Sequence, residues 1–250
     1  MIRNIAISLC YDGTNYHGWQ IQDGLKTVQG LLQNAAQTIT KEPVKLIGCG
    51  RTDTGVHARR YIAAFRCNCA IPTDRIPVAF NSILPEDITV LAAQEMPEDF
   101  HPIRSCIKKE YTYEVYNTPF RDPFRANHAL HFEGELPIPL LTHAASHFVG
   151  THDFASMRST GTAVKSTIRT VYSYDVKESA DGVSFVVCAD GFLYNMARTM
   201  AGTLLAVAQG KIDAESIPDI LLSGRRSRAG ATAPAHGLSM TNVWFPDLMI

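Results

Sequence analysis

At 250 residues the chain is long enough for one large domain or two of ordinary size. Its 46% hydrophobic and 19% charged residues supply a real core, and its apolar runs, such as residues 202–209, fall far short of a membrane span. A net charge of −1 excludes a uniformly basic nucleic-acid binder and leaves any such role to local clusters.

The opening stretch MIRNIAISLCYDG alternates as a strand through Ile5, Ile7, Leu9 and Tyr11. It has neither the cationic start nor the long apolar run of a signal peptide, so the expected location is the cytoplasm. Thr27 reads as an N-cap before Val28, Leu31, Leu32, Ala35 and Ile39, an apolar stripe at helical spacing. Residues 44–49 and 61–69 are strand candidates, a helix is expected within 74–84, and 88–94 reads as a further strand. The order is β-α-β-β-α-β. In the second half, Tyr111, Tyr113 and Val115 mark a strand and residues 140–148 an amphipathic helix. Residues 170–176 and 183–189 form a hairpin about Ala180-Asp181-Gly182. Residues 193–209 read as a long helix closed by Gly210, 217–222 as a short helix and 240–245 as a last strand. The order matches the ferredoxin-like pattern twice. The expected fold class is α+β: two ferredoxin-like, RRM-like units with mainly antiparallel sheets, helices on one face and a cleft between the units. The expected domains are 1–105 and 106–250.

Six scattered cysteines, mostly inside apolar runs, read as buried reduced thiols. Cys67-Asn68-Cys69 lacks zinc-knuckle spacing and has no second pair. His143 and His147 stand at i, i+4, but the run His-Ala-Ala-Ser-His has no adjacent Glu to act as a base. Ordinary helix histidines are therefore the expectation, and no metal site is expected. Positive charge clusters at Arg51, Arg59, Arg60 and Arg66, at Arg158, Lys165 and Arg169 within an acid-free stretch, and at Arg225, Arg226 and Arg228. Each alone reads as a solvated face; several converging on one surface would attract phosphates.

The densest segment is Gly48-Cys-Gly-Arg-Thr-Asp-Thr-Gly-Val-His57. Glycines directly after an apolar strand allow a tight turn and close approach to a ligand. Asp53 sits on that turn. An Asx-turn explains Asp-Thr-Gly equally well by spacing. Asp-Thr-Gly is also the aspartic-protease signature, but that chemistry needs a second such carboxylate. Neither Asp181-Gly182 nor Asp12-Gly13-Thr14 supplies one.

Gly50-Arg-Thr-Asp-Thr-Gly-Val-His57 resembles the active-site segment of the A-type tRNA pseudouridine synthase family, whose usual form is G-R-T-D-A-G-V-H. Further similarities follow in order: Tyr11-Asp-Gly-Thr-Asn-Tyr-His-Gly-Trp-Gln20, Val28-Gln29, Asn81 with Leu84-Pro85, and Phe100-His101 with Arg104. Lys109-Glu-Tyr-Thr-Tyr113, Gly150-Thr-His-Asp-Phe154, Gly191-Phe-Leu-Tyr-Asn-Met-Ala-Arg198 and Ala233-Pro-Ala-His-Gly-Leu238 complete the set. Two departures stand out. Thr54 replaces the common Ala, and Tyr194-Asn195 stands where basic or His residues are frequent.

The resemblance implies isomerisation of uridine to pseudouridine in the anticodon stem-loop of tRNA, at U38, U39 and U40. It implies no cofactor, and a homodimer that binds tRNA. It assigns Asp53 as the catalytic carboxylate. Arg51 would enter the RNA and hold the base out, Tyr111 would stack on uracil and serve in proton transfer, Arg198 would pair with Asp53, and Leu238 would pack on the base. Arg59, Arg60, Arg158, Lys165 and Arg169 are the phosphate-binding candidates. A tRNA-binding chaperone of the same fold without catalysis is the alternative. The intact set Arg51, Asp53, Tyr111 and Arg198 favours the enzyme, because a pure binder has no need of a carboxylate facing an anionic ligand.

Overall fold

The computed structural model describes residues 2–161 and 164–250. The chain divides into two compact units. One comprises the residues up to Ile107 together with Ser239–Ile250, the other Lys108–Leu238. Both are mixed α/β with mostly antiparallel pairing, and five α-helices lie among the described residues. None is long and apolar enough to cross a membrane.

The first unit runs β1 (Arg3–Tyr11), α1 (Val28–Thr40), β2 (Ile47–Gly48), β3 (His57–Cys67), α2 (Ile76–Asn81) and β4 (Ile88–Met96). Strand β1 lies between β3 and β4, antiparallel to both, with Ile7 opposite Ala63 and Ala93. Ile5, Ile7 and Leu9 are fully buried. Thr27 caps α1 as its sequence predicts, its hydroxyl accepting the Gly30 N–H at 3.3 Å. The apolar run at 44–49 yields only the two-residue β2, because α1 side chains take the backbone groups that precede it. Gln29 donates to the Leu46 carbonyl at 2.9 Å, and the Leu46 N–H donates to Gln33 Oε1 at 3.3 Å. Strand β3 starts four residues earlier than its apolar alternation suggests, at His57, and so emerges directly from the Asp53 turn.

The second unit contains β5 (Lys108–Tyr116), β6 (Leu130–His131), α3 (Ile138–Ser146), β7 (Gly150–Asp153), β8 (Ile168–Ser179), β9 (Gly182–Ala189), α4 (Met196–Ala208) and α5 (Ile217–Ser223). The sheet order is β5-β9-β8-β7, all antiparallel, with β6 parallel to β5. Ala180-Asp181 closes the β8–β9 hairpin where its turn residues predict it. Helix α4 begins three residues later than its apolar periodicity implies. Asn195 adopts the left-handed conformation, φ 61°, and ends the preceding loop. The last strand, β10 (Leu238–Trp244), returns to the first unit and pairs parallel with β3, Ser239 opposite His57.

Candidate active site

The Asp53 turn is held at both ends by strands. Gly48 of β2 lies opposite Ala63 of β3, and His57 opens β3. Between them the Val56 N–H donates to the Asp53 carbonyl at 3.1 Å, closing a tight turn. Beneath it lies an aromatic platform. Trp19 stacks on Tyr61 at 4.1 Å between centroids, and Tyr11 meets Tyr61 edge-on at 5.8 Å. All three rings are buried, and each pair contributes about 0.5–1.5 kcal/mol beyond area burial.

That platform grips the turn through both side chain and backbone. The Tyr11 hydroxyl bonds Thr52 Oγ1 at 2.8 Å, and the Trp19 N–H donates to the Thr52 carbonyl at 3.1 Å. The Tyr61 hydroxyl donates to the Gly50 carbonyl and accepts the Gly50 N–H at 3.3 Å. The Gly55 N–H donates to the Tyr16 carbonyl at 3.3 Å. Gly18, at φ 79°, backs onto the peptides on either side of Asp53; a Cβ there would stand 2.5 Å from the Thr52 oxygen. His57 is buried; its Nδ1 accepts the Gly13 N–H at 3.0 Å and lies 3.0 Å from Asp12 Oδ1, so the ring fastens the opening loop. Asp53 itself is half-buried, while Arg51 and Thr54 are exposed. The result is a carboxylate on a turn whose flanking peptides are individually anchored, the preorganisation that positional catalysis requires. Thr54, the departure from the usual Ala, is exposed.

In the second unit a loop and a strand gather the other candidates. Tyr111 lies on β5 opposite Val187 of β9, is 7% exposed, and meets Phe192 edge-on at 4.9 Å. Tyr113, two residues on and therefore on the same face, donates to the Pro234 carbonyl at 2.9 Å. Gly237 packs so closely on Tyr113 that a Cβ would lie 2.7 Å from the ring, and the buried Leu238 follows it. Arg198, in the first turn of α4, donates from Nε to the Ala233 carbonyl at 2.8 Å and from Nη1 to Asn195 Oδ1 at 2.9 Å. Burial pushes the Tyr113 phenol well above its usual range, and the charge of Arg198 draws it partly back. Asn195 also donates to Ser159 Oγ at 2.9 Å, and the Ser159 N–H donates to the Tyr194 carbonyl at 3.1 Å. The Tyr194-Asn195 departure thus orients the arginine instead of adding charge.

Tyr111, Arg198 and Leu238 are brought into one neighbourhood through Tyr113 and Phe192. Arg158 and Arg169 flank the same loop: Arg158 precedes Ser159, and Arg169 lies against Gly191, whose added Cβ would be 3.4 Å from Arg169 Nε. Lys165 is exposed. In the first unit Arg59 is exposed, and Arg60 donates to the Ile250 carbonyl at 2.6 Å.

A family profile described as tRNA pseudouridine synthase matches residues 7–103 and 144–246. The chain belongs to the tRNA pseudouridine synthase family. A protein of Thermoanaerobacter sp. (strain X514) named tRNA pseudouridine synthase A is 44% identical over 242 residues, covering 97% of this chain and 99% of the relative. One of Acetivibrio thermocellus with the same name is 43% identical over 98% of this chain and all of its own. A protein of Clostridium tetani named tRNA pseudouridine synthase A 2 is 41% identical over the same shares. Motif reading singles out Asp53 but leaves the supporting rings of Tyr11, Trp19 and Tyr61 without a task. The signal was present in Tyr11-Asp-Gly-Thr-Asn-Tyr-His-Gly-Trp-Gln20, whose spacing shows a loop but not what the loop supports. Phe192 and Tyr113 are further residues that only packing connects to Tyr111 and the segment ending in Leu238.

Proposed function

We propose that this tRNA-acting isomerase converts uridine to pseudouridine in the anticodon stem-loop, at U38, U39 and U40, with Asp53 as its essential carboxylate. The observation that carries the assignment is Asp53 itself, half-buried on a turn hydrogen-bonded to Tyr11, Trp19 and Tyr61, in a chain of this family.

The reaction breaks the bond from ribose C1′ to uracil N1, turns the base, and joins C1′ to C5. The C5 proton is released and N1 takes up a proton, so nothing is oxidised and no group is carried away. A carboxylate can serve by adding to C1′, by adding to the base, or by taking a ribose proton; each route needs the anion. Extrusion of the base comes first, since a stacked uridine is out of reach. Arg51, exposed on the Asp53 turn, holds the base out. Tyr111 stacks on uracil and moves the proton at C5. Leu238 packs on the base, and Arg198, held by Asn195 and Ala233, supplies the cation that keeps the carboxylate ionised. Arg59, Arg60, Arg158, Lys165 and Arg169 take tRNA phosphates. The reading carries with it ferredoxin-like units, for which the β-α-β-β-α-β order of the first unit is the support, and a homodimer working in the cytoplasm.

Asp53→Asn preserves shape and removes the anion. Tritium release from uracil C5-labelled tRNA should vanish while tRNA binding persists. Turnover within about tenfold of the parent, roughly 1.4 kcal/mol of barrier, would refute the assignment.

A further inference from the structure

The histidine pair of α3 has a third partner that the sequence does not announce. His143 and His147 stand one turn apart at the end of the helix, with their rings 4.8 Å apart. Glu215 approaches them from the short turn Ala214–Ser216, which is fixed by the Asp213 carboxylate accepting the Glu215 N–H at 3.1 Å. Its two oxygens address different rings: Oε1 lies 2.6 Å from His143 Nε2, and Oε2 lies 3.8 Å from His147 Nε2. His147 Nε2 is buried and has no hydrogen-bond partner among the described residues. A buried polar atom left unsatisfied costs about 1–3 kcal/mol, so a structure that keeps one beside a carboxylate calls for a partner.

We propose that His143, His147 and Glu215 form a binding site for one divalent transition-metal ion of the zinc class. The three donor atoms lie within 4.8 Å of one another. Metal–nitrogen and metal–oxygen bonds of about 2.0–2.2 Å put the donors around one ion roughly 3–3.5 Å apart. Closing the site therefore requires the His143–Glu215 contact to open and the His147–Glu215 gap to shrink, each by less than about 1 Å, and the two imidazole nitrogens, at most 4.8 Å apart, to come to the same spacing. Two imidazoles and one carboxylate suit zinc, cobalt or nickel; calcium and magnesium prefer oxygen throughout. Glu215 takes the role that the His-Ala-Ala-Ser-His run lacks locally, as a ligand instead of a base. Three protein ligands leave a position to water, and the ion would clip α3 to the turn before α5. The assigned task is structural: none of the three residues belongs to the catalytic set described above.

The test is titration of the full chain with Co2+, read by visible absorption. Nitrogen and oxygen ligands give ligand-field bands without the near-ultraviolet charge transfer of a thiolate. One Co2+ should bind per chain and be displaced by Zn2+, and Zn2+ should raise the Tm. His143→Ala and Glu215→Gln should each weaken binding by about tenfold or more, equivalent to about 1.4 kcal/mol. Both side chains are largely exposed, at 50% and 69%, so both metal-free variants should fold and retain tritium release. The competing ligands are the Cys67 and Cys69 thiols, whose sulfurs lie 3.1 Å apart, and the group Asp12, His57 and His128, whose donor atoms also lie within 4.8 Å of one another. The proposal is overturned if the parent fails to bind, if binding survives His143→Ala with His147→Ala, or if it disappears in Cys67→Ser with Cys69→Ser.

Discussion

Tyr111 meets the edge of Phe192 and is nearly buried, as a core strand residue would be, so its role has to be read from chemistry. Tyr111→Phe keeps the ring and loses the hydroxyl, while Tyr111→Leu loses both. If the hydroxyl moves the C5 proton, the Phe variant should bind tRNA normally and turn over about 10²–10⁴-fold more slowly. The Leu variant should also bind more weakly, since stacking on a base is worth about 1–3 kcal/mol. Single-turnover rates and binding isotherms on both variants check this, and parental values for both would reduce Tyr111 to packing. At this scale Asp53, Tyr111 and Arg198 are legible in the sequence because each sits in a short ordered motif. The contacts that orient Arg198, from Asn195 and Ala233, are not, since Ala233 contributes only a carbonyl, which every residue has.

At the scale of elements, the Asp53 turn depends on close approach between β2 and the aromatic platform. A Cβ on Gly48 would lie 2.2 Å from the Tyr61 hydroxyl oxygen and 2.4 Å from Trp19 Cζ2. Both rings are buried and stacked, so neither yields readily. Gly48→Ala should therefore destabilise the protein by about 1–3 kcal/mol through overpacking, and lower kcat by displacing Tyr61 from the Gly50 peptide. Denaturant midpoints and tritium-release rates measure the two effects. An unchanged rate at reduced stability would mean that the turn holds its shape without the platform. Helix α1 and the β8–β9 hairpin were legible because a Thr cap and a tight turn act over a few residues. The shortness of β2 was not, because it follows from glutamine side chains of α1 taking backbone groups that apolar periodicity assigns to a strand.

On the scale of the whole molecule, a net charge of −1 makes phosphate binding a matter of placement. Arg158 and Arg169 flank the loop that leads into α4, the helix that carries Arg198, and Lys165 is exposed in the same unit. Binding of tRNA should weaken steeply with salt. Neutralising Arg158, Lys165 and Arg169 together to Gln should reduce the slope of log K against log salt by about two or more, at roughly 0.7–0.9 per phosphate contact. Affinity measured across a salt series is the check; a flat parental series would mean that these residues are solvated faces. Arg226 is a basic residue already committed elsewhere. It donates to the Gly230 carbonyl at 2.8 Å and to Thr232 Oγ1 at 2.9 Å, and so serves the fold.

The sequence by itself determined what acts over short range: the Thr27 cap, the strand alternation, the glycine-flanked turn bearing Asp53, and the ordered motifs that mark the family. These depend on backbone preferences and hydrogen bonds spanning a few residues, which a local pattern records. Tertiary structure alone decided which distant residues meet. It joined Tyr11, Trp19 and Tyr61 beneath one turn, set Glu215 against a histidine 72 residues away, and returned β10 to pair with β3. Such partners are chosen by burial and close packing across the whole unit, where many apolar and polar residues of the same type compete for each place. Residue spacing along the chain carries no record of which one wins.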